Sequence, residues 1–331
     1  MHIAIIGAGI SGVTSARQLQ SQGHTVVIYE KSRGPGGRMN TRETELGGFD
    51  HGAQYFTATS EPFKKRVEAW RKAGWVGPWN ARLVTLNHGA QKAAGQKGQR
   101  LVGLPGMSAL AQHLAQGVEI RTEHFVERIE RDGDKWLLSV LADPVPISAT
   151  AGPFDAVLVA LPADQTAALL KETPALAKKA AALQMAPCWS LMLGFQEPLS
   201  LTYDAAWVEN SRLGWIARDS SKPGRRPGEH WVAHASAAWS VEHLEDDPER
   251  VREKLLKAFH EATGSPVQPV YVAVHRWRYA QAVKPLPLDC LWDPTLRIGA
   301  CGDWFAAGLD GVGRVENAVL SADALAQAVG V

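Results

Sequence analysis

The stretch Ile3-Ala4-Ile5-Ile6-Gly7-Ala8-Gly9-Ile10-Ser11-Gly12 decides the fold that we predict for this chain. Its apolar residues 3–6 predict a buried parallel strand, and the residues after Gly12 carry apolar side chains at helical spacing. Gly7 allows a tight turn, Gly9 allows the backbone to approach a pyrophosphate, and Gly12 allows close packing of helix on strand. The helix N-terminus would offer unpaired N–H groups and partial positive charge to phosphates. The stretch therefore predicts a dinucleotide-binding unit.

A second predicted strand, residues 25–29, ends on an acidic residue, Glu30. A carboxylate at this position can accept hydrogen bonds from both hydroxyls of an adenosine ribose. The alternative, a glycine turn without a ligand, is disfavoured because strand, glycines, helix and acid occur together.

Two further segments distinguish between dinucleotides. Residues 31–39 are rich in glycine and proline where a plain nicotinamide-binding unit would begin its second helix. Arg38 could neutralise a pyrophosphate there, although a surface turn with a solvated arginine is the alternative. A predicted strand at 296–301 leads into Asp303, which could hold a ribityl hydroxyl, and a predicted helix at 314–328 could direct its positive end at a flavin ring. Together these segments favour FAD over NAD.

Composition limits the class of protein. The 331 residues are 45% hydrophobic and 21% charged, with a formal net charge of +1. This balance gives no support for nucleic acid or an anionic membrane as the partner. No apolar run approaches the ~20 residues of a membrane span. The three cysteines have neither metal nor redox spacing. A strand predicted from the third residue leaves no room for a signal peptide, so we expect a reduced, cytoplasmic protein without a bound metal.

Four segments carry a resemblance that covers almost the whole chain. They are Gly36-Gly37-Arg38-Met39-Asn40-Thr41-Arg42, Asp50-His51-Gly52-Ala53-Gln54-Tyr55-Phe56, Arg276-Trp277-Arg278-Tyr279-Ala280 and Gly302-Asp303-Trp304-Phe305. The chain resembles the glutathione-reductase-type FAD flavoproteins, more narrowly their amine-oxidase-like branch, and most closely the bacterial members of the renalase family. The first and last segments are shared by many flavin amine oxidases, whereas the two middle ones are similar to renalases.

The resemblance implies a site and a reaction. Residues expected to bind FAD, without a covalent bond because no cysteine resembles a flavin-attachment segment, are Gly7, Gly9, Ser11, Gly12, Glu30, Lys31, Gly37, Arg38, Gln54, Tyr55, Val126, Gly302, Asp303 and Val312. Residues expected to hold the substrate are His51, Thr57, Lys97, His234, Arg278 and Tyr279. The implied substrates are the 1,2- and 1,6-dihydro isomers of NAD(P)H, which would be oxidised to NAD(P)+ while O2 becomes H2O2. No catalytic acid or base is nominated, because a dihydropyridine ring is itself a strong hydride donor and positioning supplies most of the catalysis.

Two other function classes stay open. One is an amine oxidase or desaturase of the wider branch, for which Lys284 could hold a water near the ring. The other is a non-enzymatic FAD-binding module, which is disfavoured because no element needed to present a flavin is missing.

The predicted architecture is α/β, with a Rossmann-type FAD-binding domain and a second α+β substrate domain on a mixed or antiparallel sheet. We assign residues 1–58, 101–163 and 285–331 to the FAD domain and residues 59–100 and 164–284 to the substrate domain. Residues 89–99 are predicted to be a flexible loop, either a lid over the pocket or a solvated hairpin tip, and residues 220–229 a loop with solvated arginines.

Overall fold

A computed structural model describes residues 1–95, 98–142, 147–311 and 313–330. The strands within these ranges are β1 His2–Ile6, β2 Thr25–Tyr29, β3 Thr41–Glu43, β4 Gly48–Asp50, β5 Val76–Pro78, β6 Leu83–Asn87, β7 Ala90–Ala93, β8 Leu101–Gly103, β9 Glu119–Arg121, β10 His124–Asp132, β11 Lys135–Ala142, β12 Ile147–Phe154, β13 Ala156–Val159, β14 Met185–Phe195, β15 Ala205–Glu209, β16 Leu213–Arg218, β17 Glu229–Ala235, β18 Tyr271–Ala282, β19 Leu291–Asp293 and β20 Ile298–Ala300. The α-helices are α1 Ile10–Ser21, α2 Glu61–Lys72, α3 Met107–Leu114, α4 Ala163–Leu169, α5 Pro174–Ala181, α6 Ala237–Glu242, α7 Pro248–Thr263 and α8 Val315–Gly330. None of these helices combines the length and the apolar character that crossing a membrane requires.

The first sheet has the order β19, β20, β13, β1, β2, β9 and is parallel apart from β19. Its central strands are almost wholly apolar because helices and a second layer cover both faces. Helices α1 and α8 pack on one face, and the antiparallel sheet β10, β11, β12 adjoins the other. The carboxyl ends of β1, β2 and β20 therefore meet at one edge, which is where ligands bind in such sheets.

The second sheet is larger and mixed. Its order is β18, β14, β17, β16, β15, β6, β7, and only the pair β15 and β6 is parallel. Both the parallel sheet and this second sheet agree with the predicted architecture. Strands β6 and β7 come from an earlier part of the chain than the other five, so the sheet is assembled from two separate segments.

Local chemistry accounts for where two of the helices begin and end. Ser60 caps α2 by accepting the N–H of Phe63 at 3.4 Å. Asp247 caps α7 by accepting from Glu249 and Arg250, and Gly264 ends that helix at a φ of +68°. Helix α7 then buries Phe259 and its neighbours against the sheet.

The local structure adds to the prediction at two places. Within the predicted loop at 89–99, Ala90–Ala93 pairs with β6 as the second strand of a hairpin. Strand β12 was not predicted, because it contains Gly152 and Pro153 and such residues usually mark turns.

Candidate functional site

The loop between β1 and α1 has the shape that a dinucleotide requires. Gly7 adopts a φ of +101°, which favours glycine. A Cβ on Gly12 would lie 1.9 Å from the carbonyl oxygen of Gly7, so no side chain fits there. A Cβ on Gly9 would meet no protein atom within 4 Å. Gly12 is therefore required for packing, whereas the space over Gly9 is open to a ligand, and Ser11 lies buried in the first turn of α1.

Glu30 lies at the carboxyl end of β2 and is 7% exposed. Its Oε2 accepts the N–H of Ala8 at 2.7 Å, and its Oε1 accepts the N–H of Ser32 at 2.8 Å. Each oxygen keeps a further lone pair that could accept a hydroxyl. The neighbouring Lys31 is exposed.

The second glycine loop packs directly against the first. The Gly36 N–H donates to the carbonyl of Ala8 at 2.9 Å. A Cβ on Gly37, whose φ is +54°, would lie 3.2 Å from the Cα of Gly9. The two loops and Glu30 form one crevice, which we call the dinucleotide crevice.

Arg38 and Asp303 close this crevice from opposite ends of the chain. The guanidinium donates to both carboxylate oxygens, at 2.9 and 2.6 Å, and also to the carbonyl of Ala280 at 3.0 Å. The N–H of Gly313 donates to the carbonyl of Asp303 at 3.0 Å, and α8 begins two residues later. The structure therefore brings Arg38, Asp303 and the α8 N-terminus together, with the arginine charge balanced by a carboxylate rather than by a phosphate.

Two buried acceptors beside the crevice have no partner among the described residues. Gln54 uses its amide nitrogen on the carbonyls of Asp50 and Gly52, which leaves Oε1 buried and unpaired. Asn317, in the first turn of α8, donates to the carbonyls of Phe305 and Ala306 and leaves Oδ1 unpaired. Orphaned buried acceptors are unfavourable unless something donates to them. These acceptors and the open space over Gly9 fit an extended polar group such as FAD.

A histidine cluster, made of His51, His234, His275 and Trp277, lies next to this segment. The His51 ring stacks on Trp277 with centroids 5.1 Å apart and meets the His275 ring edge-on at 4.8 Å. The carbonyl of His51 accepts the indole N–H of Trp277 at 2.9 Å and lies 3.2 Å from Nε2 of His234. Among the described residues no group of histidine, cysteine or acidic side chains is arranged to hold a metal ion.

The histidines of this cluster are neutral at neutral pH. Burial, with the neighbouring His275 and Arg42, lowers the pKa of His51 to about 3. Burial lowers the pKa of His234 to about 4, and burial together with Arg42 lowers the pKa of His275 to about 4. The cluster can donate or accept a hydrogen bond but does not carry charge near neutral pH.

A buried charge cluster, made of Asp50, Asp219, Lys222 and Arg225, was missed by sequence reasoning. Lys222 Nζ lies 3.0 Å from Asp50 and 2.5 Å from Asp219, and Arg225 also pairs with Asp50. The first three side chains are wholly buried and that of Arg225 is 4% exposed, so the predicted solvated Arg225 is wrong. Burial opposes ionisation of Asp50, but Lys222 and Arg225 outweigh it and hold its pKa at about 2. The cluster fixes β4, and with it the segment that carries His51 and Gln54.

Tyr55 stands in an aromatic wall with Trp79 and Trp215. Its ring centroid lies 6.1 Å from Trp79 and 5.8 Å from Trp215. The guanidinium carbon of Arg100 lies 5.4 Å from the same ring. Sequence reasoning singled out Tyr55 but not Trp215, which comes from the second sheet 160 residues later in the chain.

Other predicted site residues lie elsewhere. Arg278 faces away from the histidine cluster and pairs with exposed Glu245, because side chains alternate along β18 and Trp277 takes the inner face. Tyr279 packs half-buried on the core under the first sheet. Thr57 is half-buried in the segment after Tyr55.

Four assignments remain, of which two concern residues that the structure describes. Val126 is buried in β10, two residues after His124, whose N–H donates to the carbonyl of Glu30. Gly302 is buried and donates its N–H to Ser321 at 3.2 Å. The predictions for Lys97 and Val312 lie outside the described residues.

Two surface cavities, of about 300 and 700 Å³, lie apart from the crevice and the histidine cluster. The smaller is lined by residues such as Arg121 and Phe154, and the larger by the turns at Gly89 and Asn210. Neither is lined by the glycine loops, so neither cavity marks the dinucleotide crevice.

Two family models match the chain. The model described as "Flavin containing amine oxidoreductase" matches residues 60–330, and that described as "NAD(P)-binding Rossmann-like domain" matches residues 5–72. Among curated proteins, 4,4'-diapophytoene desaturase of Staphylococcus aureus is 48% identical over 52 residues. That match covers 16% of this chain and 10% of the desaturase, so the likeness is confined to a short segment.

Solved structures share the whole fold at low identity. Cyclohexylamine oxidase from Brevibacterium oxydans superposes with a TM-score of 0.74 at 15% identity and covers 99% of this chain and 98% of its own. An oxidoreductase from Methanosarcina mazei gives 0.70 at 16% identity, covering 99% and 100%. A protein from Exiguobacterium sp. 255-15, provisionally assigned as a protoporphyrinogen oxidase, gives 0.76 at 14% identity, covering 99% and 98%. At these identities the likeness establishes the fold alone.

Proposed function

Because the chain belongs to the flavin-containing amine oxidoreductase family, we propose that it is an FAD-dependent oxidase of the 1,2- and 1,6-dihydro isomers of NAD(P)H. The products would be NAD(P)+ and H2O2. The family implies an oxidoreductase with a flavin cofactor, and the proposal adds the identity of the substrate.

One observation carries the proposal. The two segments that resemble renalases are 50–56 and 276–280, and His51 and Trp277 within them are 226 residues apart in the chain. Even so, their rings stack, and the indole N–H of Trp277 donates a hydrogen bond to the backbone carbonyl of His51. The wall they form is aromatic and uncharged, which suits a flat nicotinamide ring. Within the described ranges, the histidines of the cluster form no hydrogen bond or ion pair with a carboxylate.

The chain's own residues would bind the cofactor and orient the substrate. Glu30 would accept ribose hydroxyls, the two glycine loops would follow the pyrophosphate, and Arg38 with Asp303 would meet the middle of the cofactor. A bound flavin would supply a two-electron acceptor for the hydride of ring carbon 2 or 6, and with one proton from solvent the two electrons would reach O2 as H2O2. The histidine cluster excludes water from one side and holds the ring in place.

Non-covalent binding of FAD is part of the proposal. Burial raises the pKa of both Cys188 and Cys301 to about 12, and burial with Asp289 raises that of Cys290 to about 11. Their thiolates, which a thioether linkage needs as nucleophiles, are thus strongly disfavoured. Flavin should be released into the supernatant when the protein is denatured, and flavin that stays in the pellet would contradict this part.

The test is anaerobic mixing of the purified flavoprotein with the 2- and 6-dihydro isomers, with ordinary NADH, and with primary and secondary amines. We expect the flavin absorbance to bleach rapidly with an isomer and H2O2 to form when oxygen is admitted. Ordinary NADH should react slowly, because a hydride misplaced by ~1 Å can slow transfer about 100-fold. Rapid bleaching by an amine and by neither isomer would instead identify an amine oxidase, the second candidate.

A further inference from the structure

Arg100 is a buried cation that has no carboxylate partner in the part of the chain that the structure describes. The residue is 5% exposed, and its Nε is buried with no acceptor. Its guanidinium lies over the ring of Tyr55, with 5.4 Å between the guanidinium carbon and the ring centroid. Elsewhere in this region the carboxylates are already matched, since Asp50 and Asp219 pair with Lys222 and Arg225.

The backbone of Arg100 is held rigidly beside the segment that carries Tyr55. Leu101 exchanges two hydrogen bonds of 2.8 Å with Phe56, and the N–H of Trp79 donates to the Arg100 carbonyl at 2.9 Å. These bonds fix the backbone from which the Arg100 side chain reaches the aromatic wall.

A second donor at this wall is also unused. The indole Nε1 of Trp215 is buried and has no partner within the described ranges, and its ring centroid lies 5.8 Å from that of Tyr55. Arginine stays charged at any physiological pH, and a buried charge or donor without a partner is strongly unfavourable. Both features are explained if a ligand brings the missing acceptor.

We propose that Arg100 binds an oxyanion, phosphate or carboxylate, of the substrate at the Tyr55 wall, with Trp215 Nε1 as a further donor there. The substrate class rests on the function proposed above. The same cation disfavours a protonated amine at this wall, because like charges repel in a buried setting.

The test compares how the holoenzyme oxidises three matched probes. The reducing probes are the 6-dihydro forms of nicotinamide riboside, which is neutral, of its 5′-phosphate, and of nicotinic acid riboside, which carries a carboxylate. The anionic probe whose KM is below that of the neutral riboside identifies the group bound, phosphate or carboxylate. In Arg100→Met we expect the KM for the preferred anion to rise about 10- to 100-fold, which is the range for losing a charge-assisted hydrogen bond. The KM for the neutral riboside should stay within about twofold of the wild-type value.

Arg128→Met is the matched control, because it removes the same charge from a side chain that is 66% exposed on β10. Arg100→Lys keeps the positive charge but lacks the planar guanidinium, so it should retain part of the preference for the anionic probe. This variant also provides the test if Arg100→Met does not fold. Equal KM values for all three probes in the wild type would overturn the proposal, as would an anion preference that survives in Arg100→Met.

A binding measurement separates this proposal from the proposed function. Calorimetry on the oxidised holoenzyme compares benzoate with its neutral isostere benzamide, and adds inorganic phosphate. Tighter binding of an anion by the wild type than by Arg100→Met supports the oxyanion site even if no dihydronicotinamide bleaches the flavin. Flavin bleaching by a dihydronicotinamide without any Arg100-dependent anion binding would support the oxidase function and contradict the oxyanion site.

Discussion

The dinucleotide crevice and the buried charge cluster are both formed by residues far apart in sequence, yet only the crevice was predictable. The crevice begins with a local pattern, in which Gly7, Gly9 and Gly12 lie within six residues. The charge cluster has no local pattern, because Asp50 meets its partners 172 and 175 residues later. Backbone requirements repeat as motifs, whereas a buried ion pair is a property of the finished fold. The two regions should therefore respond differently to substitution.

The largest effect is expected in the charge cluster. Lys222→Met leaves two buried carboxylates with one arginine, and breaking a buried pair typically costs about 3–5 kcal/mol. Urea unfolding monitored by tryptophan fluorescence measures this loss. Lys64→Met, which breaks an exposed pair with Glu61, should stay within about 0.5 kcal/mol. Equal, small losses would mean that the cluster is well solvated.

The crevice offers a pair of glycine substitutions that separate folding from binding. Gly12→Ala would place a Cβ against the Gly7 carbonyl, and we expect a loss of about 1–3 kcal/mol or more together with lost flavin. Gly9→Ala meets no protein atom, so its unfolding free energy should change little while flavin retention falls. Gly34→Ala, also in open space, is the control. Thermal unfolding of flavin-free protein and flavin content after gel filtration measure the two effects, and similar flavin contents for Gly9→Ala and Gly34→Ala would contradict the crevice assignment.

The histidine cluster should make stability depend on pH. The folded pKa of His51, about 3, is below the unfolded value near 6.5, so between these values the unfolded chain binds the extra proton. Stability is therefore fully present above pH ~6.5 and falls as the pH drops, by about 1.4 kcal/mol per pH unit for this group. Urea titrations from pH 7 to 4.5 measure the slope, which should flatten in His51→Asn. His88→Asn, in an exposed turn, should leave it unchanged.

The smallest effect is expected at Arg278. Its pair with Glu245 is exposed, with 40% and 67% of the side chains accessible, so Arg278→Met should cost about 0–1 kcal/mol and leave the KM for dihydro-NAD(P) nearly unchanged. A KM increase of tenfold or more would indicate that Arg278 does bind the substrate.

The contrast among these residues shows what the sequence could provide. The strand–glycine–helix pattern, Glu30 and the Gly302-Asp303 segment were predictable because each depends on a short stretch of backbone. Arg225 was misjudged because proline and glycine neighbours are typical of solvated loops. The placement of Arg278 had an available signal, since alternation along a strand puts it opposite Trp277. Trp215, Arg100 and Asn317 gave no local signal, because their significance lies in atoms that the folded chain leaves unpaired.

The Arg278 pair has a consequence for association between molecules. Strand β18 is a twelve-residue edge of the second sheet, and a long open edge is a template on which another chain can add a strand. Arg276 and Arg278 both reach Glu245, which leaves this edge with more positive than negative charge. Two such edges brought side by side would place their arginines close together, which is unfavourable. The opposite edge, β7, is only four residues long and carries Lys92. The positive charge of the β18 edge and the short length of the β7 edge protect the second sheet from edge-to-edge aggregation.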